Sequence, residues 1–313
     1  MSHNIIVDTQ LPAEMLEMIG AECTVQIWPA DAEDPLLHTA VGLLTYGHPR
    51  VDGAVMDRMP NLKVISNFGV GVDHIDLAAA RARGIPVGNT PHILDGATAD
   101  MTFALLLTAA RNVVIGERYA RSADFTHYDP NILIGSEVHG ATLGIVGMGN
   151  IGRQVARRAR GFDMTVLYHN RTRSPQAEAE LGATYATLPD LLQRADYVTL
   201  NVPLTPETRE MIGRTQLQQM RPTAWLINAA RGGVIDHAAL VEALQQHWIA
   251  GAALDVTEPE PLPRDHPLLR MDNAIIVPHL GSATRQTRRA MVRLTVDNLN
   301  AGLAGLPLPS RIA

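Results

Sequence analysis

Cysteine is nearly missing from this 313-residue sequence: Cys23 is the only one. That excludes a disulfide framework and a cysteine-ligated metal cluster. Lysine is as scarce, with Lys63 alone, so arginine supplies nearly all the positive charge; this reads as compositional bias rather than function. Aromatic residues make up 4%, net charge is −6, and no basic run is longer than a pair such as Arg157-Arg158. These features argue against nucleic acid as the main partner. No apolar run reaches the ~18 residues of a membrane span. The start, Met1-Ser-His-Asn, enters an apolar strand without the basic region and apolar core of a secretion signal. Together the absences predict a soluble, cytoplasmic protein with no membrane or nucleic-acid partner. The histidines give no metal pattern: His169 and His247 are isolated, and no H-x-x-x-H has a third ligand. No G-x-S-x-G nucleophile elbow occurs either. What remains is ordinary globular material, 46% hydrophobic and 19% charged, in a chain long enough for two domains.

The most informative stretch runs from Ala141 to Arg173. An apolar run to Val146 leads into Gly147-Met-Gly149-Asn-Ile-Gly152, then a helical pattern to Gly161, then a second apolar run, Met164 to Tyr168. Strand, glycine turn, helix and strand within about 30 residues is the context that makes G-x-G-x-x-G a dinucleotide fingerprint. Gly147 permits the tight turn, Gly149 lets backbone approach a pyrophosphate, and Gly152 lets the helix pack on the strand. The N–H groups and positive dipole end of the helix face the phosphates. The end of the second strand, where an NAD-binding unit usually carries Asp or Glu, reads His169-Asn170-Arg171-Thr172-Arg173. A carboxylate there would repel the 2′-phosphate of NADP, whereas a guanidinium pairs with it. Unless both arginines are merely solvated surface charge, the stretch predicts NADP(H) over NAD(H) by roughly two orders of magnitude.

Around this stretch, strand and helix patterns alternate. Ile5–Val7, Thr24–Trp28, Val41–Tyr46, Val64–Ser66 and Pro86–Gly88 read as strands, with helices over Leu11–Ile19, Val51–Met59 and Asp76–Arg83, the last capped by Gly84. One long apolar helix is expected from Ala97 to about Arg121, followed by a polar, aromatic-containing segment, Ser122–Gly140. Beyond the fingerprint, Tyr197–Val202, Ala224–Asn228, Ala250–Leu254 and Ala274–Val277 read as strands and Asp236–His247 as a helix. A last helix, about Thr284 to Leu303, arrives after the second unit is complete and returns to the first. The prediction is α/β, two doubly wound parallel-sheet domains: residues 1–98, 99–284, and 285–313 returning to the first.

Parallel sheets bind ligands beyond the carboxyl ends of their strands. Arg231 follows the Leu226–Ala230 strand and precedes Gly232-Gly233. It suits a bidentate hold on a substrate carboxylate, or an interdomain salt bridge. His279 follows Ile275–Pro278, and the loop Asp255-Val-Thr-Glu258-Pro-Glu260-Pro-Leu-Pro offers two carboxylates that sequence cannot separate. A carboxylate beside an imidazole favours its protonated form, which could donate a proton to a reacting carbonyl.

The chain resembles the D-isomer-specific 2-hydroxyacid dehydrogenases along essentially its whole length. The likeness rests on Gly69-Val-Gly71-Val-Asp73-His-Ile-Asp76, Gly96-Ala-Thr98-Ala-Asp100, Gly144 to Gly152, Asn201-Val-Pro203-Leu-Thr-Pro206-Glu-Thr208, Ile227-Asn-Ala-Ala-Arg231-Gly232, Asp255 to Pro261, and Pro278-His279-Leu-Gly281-Ser282-Ala-Thr284. Tyr168–Arg173 and the Asp255–Thr284 block look most like glyoxylate/hydroxypyruvate reductases and 2-ketogluconate reductases. The one departure is Asp100, where the family more often has Glu. The resemblance implies a Rossmann domain for NADP, a discontinuous flavodoxin-like substrate domain and a cleft between them. It implies His279 as general acid, Glu260 as its orienting carboxylate, and Arg231 on the substrate carboxylate. Backbone N–H groups of Val70 and Gly71 take the other side of that carboxylate, with Ser282 and Arg288 also near the substrate. Asp255 contacts the nicotinamide carboxamide, and Ala229 and Pro203 line the cofactor pockets. Thr102, Gly147, Gly149, Asn150, Ile151, Gly152, Asn170, Arg171, Thr172, Arg173, Val202, Thr208 and Gly281 complete the cofactor set. The implied reaction is NADPH-dependent reduction of glyoxylate or hydroxypyruvate, NADH serving more weakly, by a homodimer paired through its cofactor domains. The alternatives are a sugar-acid reductase of the 2-ketogluconate type and a nucleotide-sensing binding protein.

Overall fold

A computed structural model describes residues 3–29 and 34–313; Met1 and Ser2 of the N-terminal reading lie outside them. The chain forms two compact units, one of the residues up to Leu94 with Thr284–Ala313, the other of Asp95–Ala283.

The first unit alternates β1 (His3–Val7), α1 (Ala13–Ile19), β2 (Cys23–Ile27), α2 (Pro35–Thr39), β3 (Ala40–Thr45), α3 (Gly53–Asp57), β4 (Val64–Asn67), α4 (Leu77–Ala82) and β5 (Val87–Gly88). The strands are parallel in the order β2-β1-β3-β4-β5, the flavodoxin-like order. Both faces are covered, which is why β3 and β4 read as continuous apolar runs rather than alternations. Ile6, Leu43, Met56, Ile65 and Ala80 form the core on one face.

The expected Val51–Met59 helix shortens to α3. Val51 instead bridges to Ile75, and the Asp52 side chain starts the helix by accepting the Val55 N–H.

The second unit opens with α5 (Asp95–Ala110) and α6 (Val113–Arg121), then runs β6 (Thr142–Val146), α7 (Asn150–Arg160), β7 (Thr165–His169), α8 (Pro175–Leu181), β8 (Thr184–Tyr185), α9 (Leu188–Arg194), β9 (Tyr197–Leu200), α10 (Arg214–Gln219), β10 (Trp225–Asn228), α11 (His237–Gln245), β11 (Gly251–Leu254) and β12 (Ala274–Ile276). Its seven parallel strands lie in the order β12-β11-β10-β9-β6-β7-β8, which is the doubly wound dinucleotide order with one strand added. Leu106, Val155 and Leu181 pack on one face, Leu191, Leu217 and Leu240 on the other. Asp100 accepts from the Arg158 guanidinium at 2.7 Å, so the shorter carboxylate still makes an ion pair.

The single Ala97–Arg121 helix is a correction. It breaks into α5 and α6 with a 60° bend at Asn112, whose φ is 51°. The chain returning at Leu133–Ser136 imposes the break. The Asn112 side chain donates to the Leu133 and Ile134 carbonyls, and the Ser136 N–H takes the Ala110 carbonyl at 2.7 Å. The periodicity of either half is helical, and only this long-range contact separates them. No single helix among the described residues is long and apolar enough to cross a membrane.

Last comes α12 (Arg285–Leu303), capped by the Thr284 hydroxyl on the Thr287 N–H. It packs within the first unit: the Ser66 hydroxyl donates to the Thr295 carbonyl at 2.7 Å, and Asn298 donates to Asn89.

Candidate active site

The glycine turn follows β6. Gly147 has φ 101°, and a Cβ there would stand 2.6 Å from the Asn201 carbonyl oxygen; one on Gly152 would stand 2.1 Å from the Gly147 oxygen. Backbone therefore packs on backbone at both positions, while a Cβ on Gly149 would meet nothing within 4 Å. Gly149 is also the N-cap of α7 and has no side chain to occupy the first turn. This cradle of backbone N–H groups at a helix N-terminus fits a dinucleotide pyrophosphate.

At the end of β7 the Asn170 carboxamide accepts the Met148 N–H at 2.7 Å and so holds the glycine turn. Arg171, Thr172 and Arg173 follow, all exposed. Arg173 is not loose surface charge. Its Nε and Nη2 donate to the two carboxylate oxygens of Glu178 at 2.6 and 2.8 Å. The Tyr168 hydroxyl donates to the same carboxylate at 2.7 Å and accepts the Ser174 N–H. Hydrogen bonding from Arg173, then from Tyr168, holds Glu178 below the usual carboxylate range. Glu207 is likewise lowered, first by the Thr205 hydroxyl and in smaller part by the charge of Arg171. The Thr208 hydroxyl donates to the Pro203 carbonyl at 2.6 Å, tying together the loop after β9 that carries Val202. Thr102 is buried in α5 and its hydroxyl donates to the Thr98 carbonyl.

Three further residues gather beyond β10, β11 and β12. The buried Asn228 ends β10; its Nδ2 donates to the Arg231 carbonyl at 2.9 Å and its Oδ1 accepts the Ala230 N–H at 3.0 Å. That pair of bonds shapes the Ala229–Arg231 turn. Gly232 then presses against the next loop: a Cβ there would stand 2.1 Å from the Thr257 carbonyl. This loop carries both candidate glutamates, and Glu260 makes the contact, Oε1 to His279 Nδ1 at 2.8 Å. Glu258 instead donates its backbone N–H to His237. The two paired side chains are 40% and 32% exposed, so the pair is reachable by a ligand.

His279 stands at φ 55°, a strained position for a residue with a Cβ. Asp255 holds it there. This residue is 1% exposed, and its carboxylate accepts the Leu280 and Gly281 N–H groups at 2.5 and 2.7 Å, while its carbonyl accepts the His279 N–H. Burial pushes the Asp255 carboxyl upward and the two N–H bonds pull it back. Ser282 is half-buried in the same turn.

In the first unit, the buried Asn67 ends β4 as Asn228 ends β10. Its Nδ2 donates to the Gly69 and Gly71 carbonyls, both at 3.0 Å, and Asn89 takes the Val70 carbonyl at 2.9 Å. The Arg288 guanidinium lies 5.4 Å over the Phe68 ring, which stacks on Tyr46 at 4.3 Å.

Sequence reasoning missed Asn67, Asn228 and the turn-holding part of Asp255. One signal was available: Asn or Asp closing a parallel strand next to a required turn can both donate and accept toward the backbone.

A doubly wound dinucleotide unit bearing an arginine, a carboxylate and an imidazole beyond its strand ends defines a nucleotide-dependent oxidoreductase. The family described as D-isomer specific 2-hydroxyacid dehydrogenase, NAD binding domain, matches residues 103–281. A glyoxylate reductase of Pyrococcus furiosus is 44% identical, covering 96% of this chain and 92% of that protein. A Thermus thermophilus protein of known structure superposes with TM-score 0.90 at 46% identity over 99% of this chain and all of the other. An NADPH-dependent glyoxylate/hydroxypyruvate reductase of Sinorhizobium meliloti, solved with NADP and malonate, gives TM-score 0.90 at 33% identity over 100% of this chain and 97% of that one. This chain belongs to the D-isomer specific 2-hydroxyacid dehydrogenases. Its chemistry is the reduction of 2-keto acids with a nicotinamide cofactor.

Proposed function

We propose that the protein reduces glyoxylate and hydroxypyruvate to their 2-hydroxy acids with NADPH, and less effectively with NADH. The observation that carries this reading is the Glu260–His279 pair beside the Arg231 turn. The names of the relatives support the small substrates. The NADPH preference is supported by the stretch His169–Arg173, which has no carboxylate.

Gly147 makes the turn, its N–H donated to the His169 carbonyl at 2.9 Å, and Gly149, Asn150, Ile151 and Gly152 at the start of α7 hold the pyrophosphate through backbone N–H groups. Arg171, Thr172 and Arg173 take the 2′-phosphate beside Asn170. Val202, Pro203, Thr208, Ala229, Asp255 and Gly281 line the remainder. Arg231 binds the substrate carboxylate, and the Val70 and Gly71 amides, Ser282 and Arg288 are the other groups assigned to the substrate. When bound, the nicotinamide supplies the hydride. His279, whose Nδ1 is held by Glu260, gives the proton on Nε2 to the carbonyl oxygen as negative charge develops there. Glu260 keeps the imidazole oriented for the transfer. The turns built by Asn228 and Asp255 keep these groups in place, which is the larger part of the protein's task.

The same reading includes a cytoplasmic location, argued from composition, and a homodimer formed through the cofactor-binding unit. The dimer is supported by exposed apolar side chains that follow the α5–α6 bend: Val113, Val114, Phe125, Tyr128 and Ile134. Mass in solution tests it, and a monomer at micromolar concentration would refute it.

The function is tested by following NADPH and NADH oxidation with glyoxylate, hydroxypyruvate, pyruvate and 2-ketogluconate. Fastest oxidation of NADPH with the two small acids is expected. Faster turnover of 2-ketogluconate would overturn the substrate assignment, and tight NADPH binding without turnover would overturn the catalytic one.

A further inference from the structure

His237 is the first residue of α11 and belongs to none of the groups above. Its imidazole is held at both nitrogens: Nδ1 is 3.1 Å from the Ile235 carbonyl oxygen, and Nε2 is 3.3 Å from the Glu258 backbone nitrogen. A carbonyl can only accept and a backbone N–H can only donate. One arrangement satisfies both contacts, the neutral ring with its hydrogen on Nδ1. The protonated ring would set an N–H against the Glu258 N–H and lose that bond.

The pinned amide lies two residues before Glu260, in a loop with its own short-range bonds. The Thr257 hydroxyl donates to the Pro259 carbonyl at 2.9 Å, and the Thr257 N–H donates to Glu260 Oε2 at 3.5 Å. Only the His237 contact reaches from α11 to this loop among the side-chain hydrogen bonds described. The titratable groups facing the ring are Asp236 on its own helix cap, Glu258 in the loop and His266 at the Pro267–Arg270 turn. Burial, more than any of them, pushes the imidazole below the ordinary histidine value; the Ile235 contact and the two carboxylates oppose that, and His266 adds to it.

We propose that neutral His237 is a positioning residue for the proton donor: by accepting the Glu258 N–H it holds the loop that carries Glu260 against His279, and its protonation releases that loop and limits turnover at acid pH. The inference rests on the roles given to Glu260 and His279 above. Because the ring stays neutral through the neutral range, the loop is pinned there. As pH falls through the lowered titration, the proton must occupy Nε2 and the Glu258 amide loses its acceptor.

Two variants separate this role from simple packing. In His237→Gln a side-chain oxygen can accept the Glu258 N–H and no titration is possible. In His237→Leu the acceptor is gone. With glyoxylate and NADPH, H237L is expected to lose about tenfold in kcat/KM at neutral pH, the equivalent of one hydrogen bond to the backbone, and H237Q to recover most of it. The acid limb of the kcat/KM profile below pH 6.5 should be shallower in H237Q than in wild type. Wild-type kcat/KM in H237L, or an unchanged acid limb in H237Q, overturns the proposal.

Hydrogen exchange at the Glu258 amide gives a readout independent of turnover. Protection there should fall in H237L and return in H237Q, and long-range proton–nitrogen correlations of labelled histidine should show His237 with its hydrogen on Nδ1. Should wild type turn over no 2-keto acid, the proposed function fails by itself. Exchange then still decides the His237 contact: unchanged protection in H237L overturns it, and lost protection supports it.

Discussion

Gly232 and Thr257 are in backbone contact, so close that a Cβ on the glycine would stand 2.1 Å from the Thr257 carbonyl carbon and oxygen. The turn that presents Arg231 and the loop that presents Glu260 are thus seated on each other, and no side chain can come between them. Gly232→Ala must push the two apart. A loss of about 1–3 kcal/mol is expected, the usual cost of overpacking, together with a fall in kcat/KM. Thermal unfolding and steady-state kinetics on the same sample check both, and an unchanged Tm would show that the seating is looser than the geometry implies.

In the proposed mechanism, removing the His279 imidazole should be more severe than misplacing it. His279→Ala is expected to lower kcat/KM by at least ~10²-fold, the low end of a general-acid contribution. Glu260→Gln keeps the shape and removes the charge, and should lower it by about 10- to 100-fold, as for residues that orient a functional histidine. Near-wild-type turnover in His279→Ala would remove this residue from the mechanism.

The proposed preference for NADPH rests on Asn170 and on Arg171 and Arg173 after it. Asn170→Asp keeps an acceptor for the Met148 N–H and adds a negative charge where the proposed reading puts the 2′-phosphate. The ratio of kcat/KM for NADPH over NADH should fall by about tenfold or more, since like-charge juxtaposition costs several kcal/mol and each ~1.4 kcal/mol is tenfold. Arg171→Ala should cost NADPH more than Arg173→Ala, because Glu178 already occupies two N–H groups of Arg173. The reverse order would mean that NADPH displaces Glu178.

The pH dependence of stability has a definite sign at His237. Its folded titration lies below the ordinary value of 6.5, so between the two values the unfolded chain binds more protons. Stability therefore rises with pH through that window and is lost as pH falls through it. His237→Gln removes the effect. Denaturant midpoints should show wild type losing ground to H237Q as the buffer goes from pH 7 to below 6.5, and a constant difference would refute the shift.

Much of the fold is legible in the chain. Parallel strands buried on both faces appear as short apolar runs between helical patterns, and the five- and seven-stranded orders agree with the two doubly wound units read from them. The short helices α2, α8, α9 and α10 escape the reading, because five to seven residues hold barely two turns of periodicity. The α5–α6 break escapes it for another reason: the cause is a segment some twenty residues on, which takes the carbonyl of Ala110.

The sequence by itself determined the class of molecule. A glycine pattern between strand and helix, an arginine before two glycines and a histidine after a strand are local features, and local sterics decide what such stretches can form. Local pattern could not separate Glu258 from Glu260; the family resemblance pointed to Glu260, and it is the folded loop that turns this side chain, and not Glu258, onto His279. Tertiary structure alone paired Arg173 with Glu178, turned Asp255 onto the Leu280 and Gly281 amides, and set His237 between a carbonyl and an amide. Each is a hydrogen bond whose strength depends on tenths of an ångström and on the angle of approach, and no periodicity in the chain encodes either.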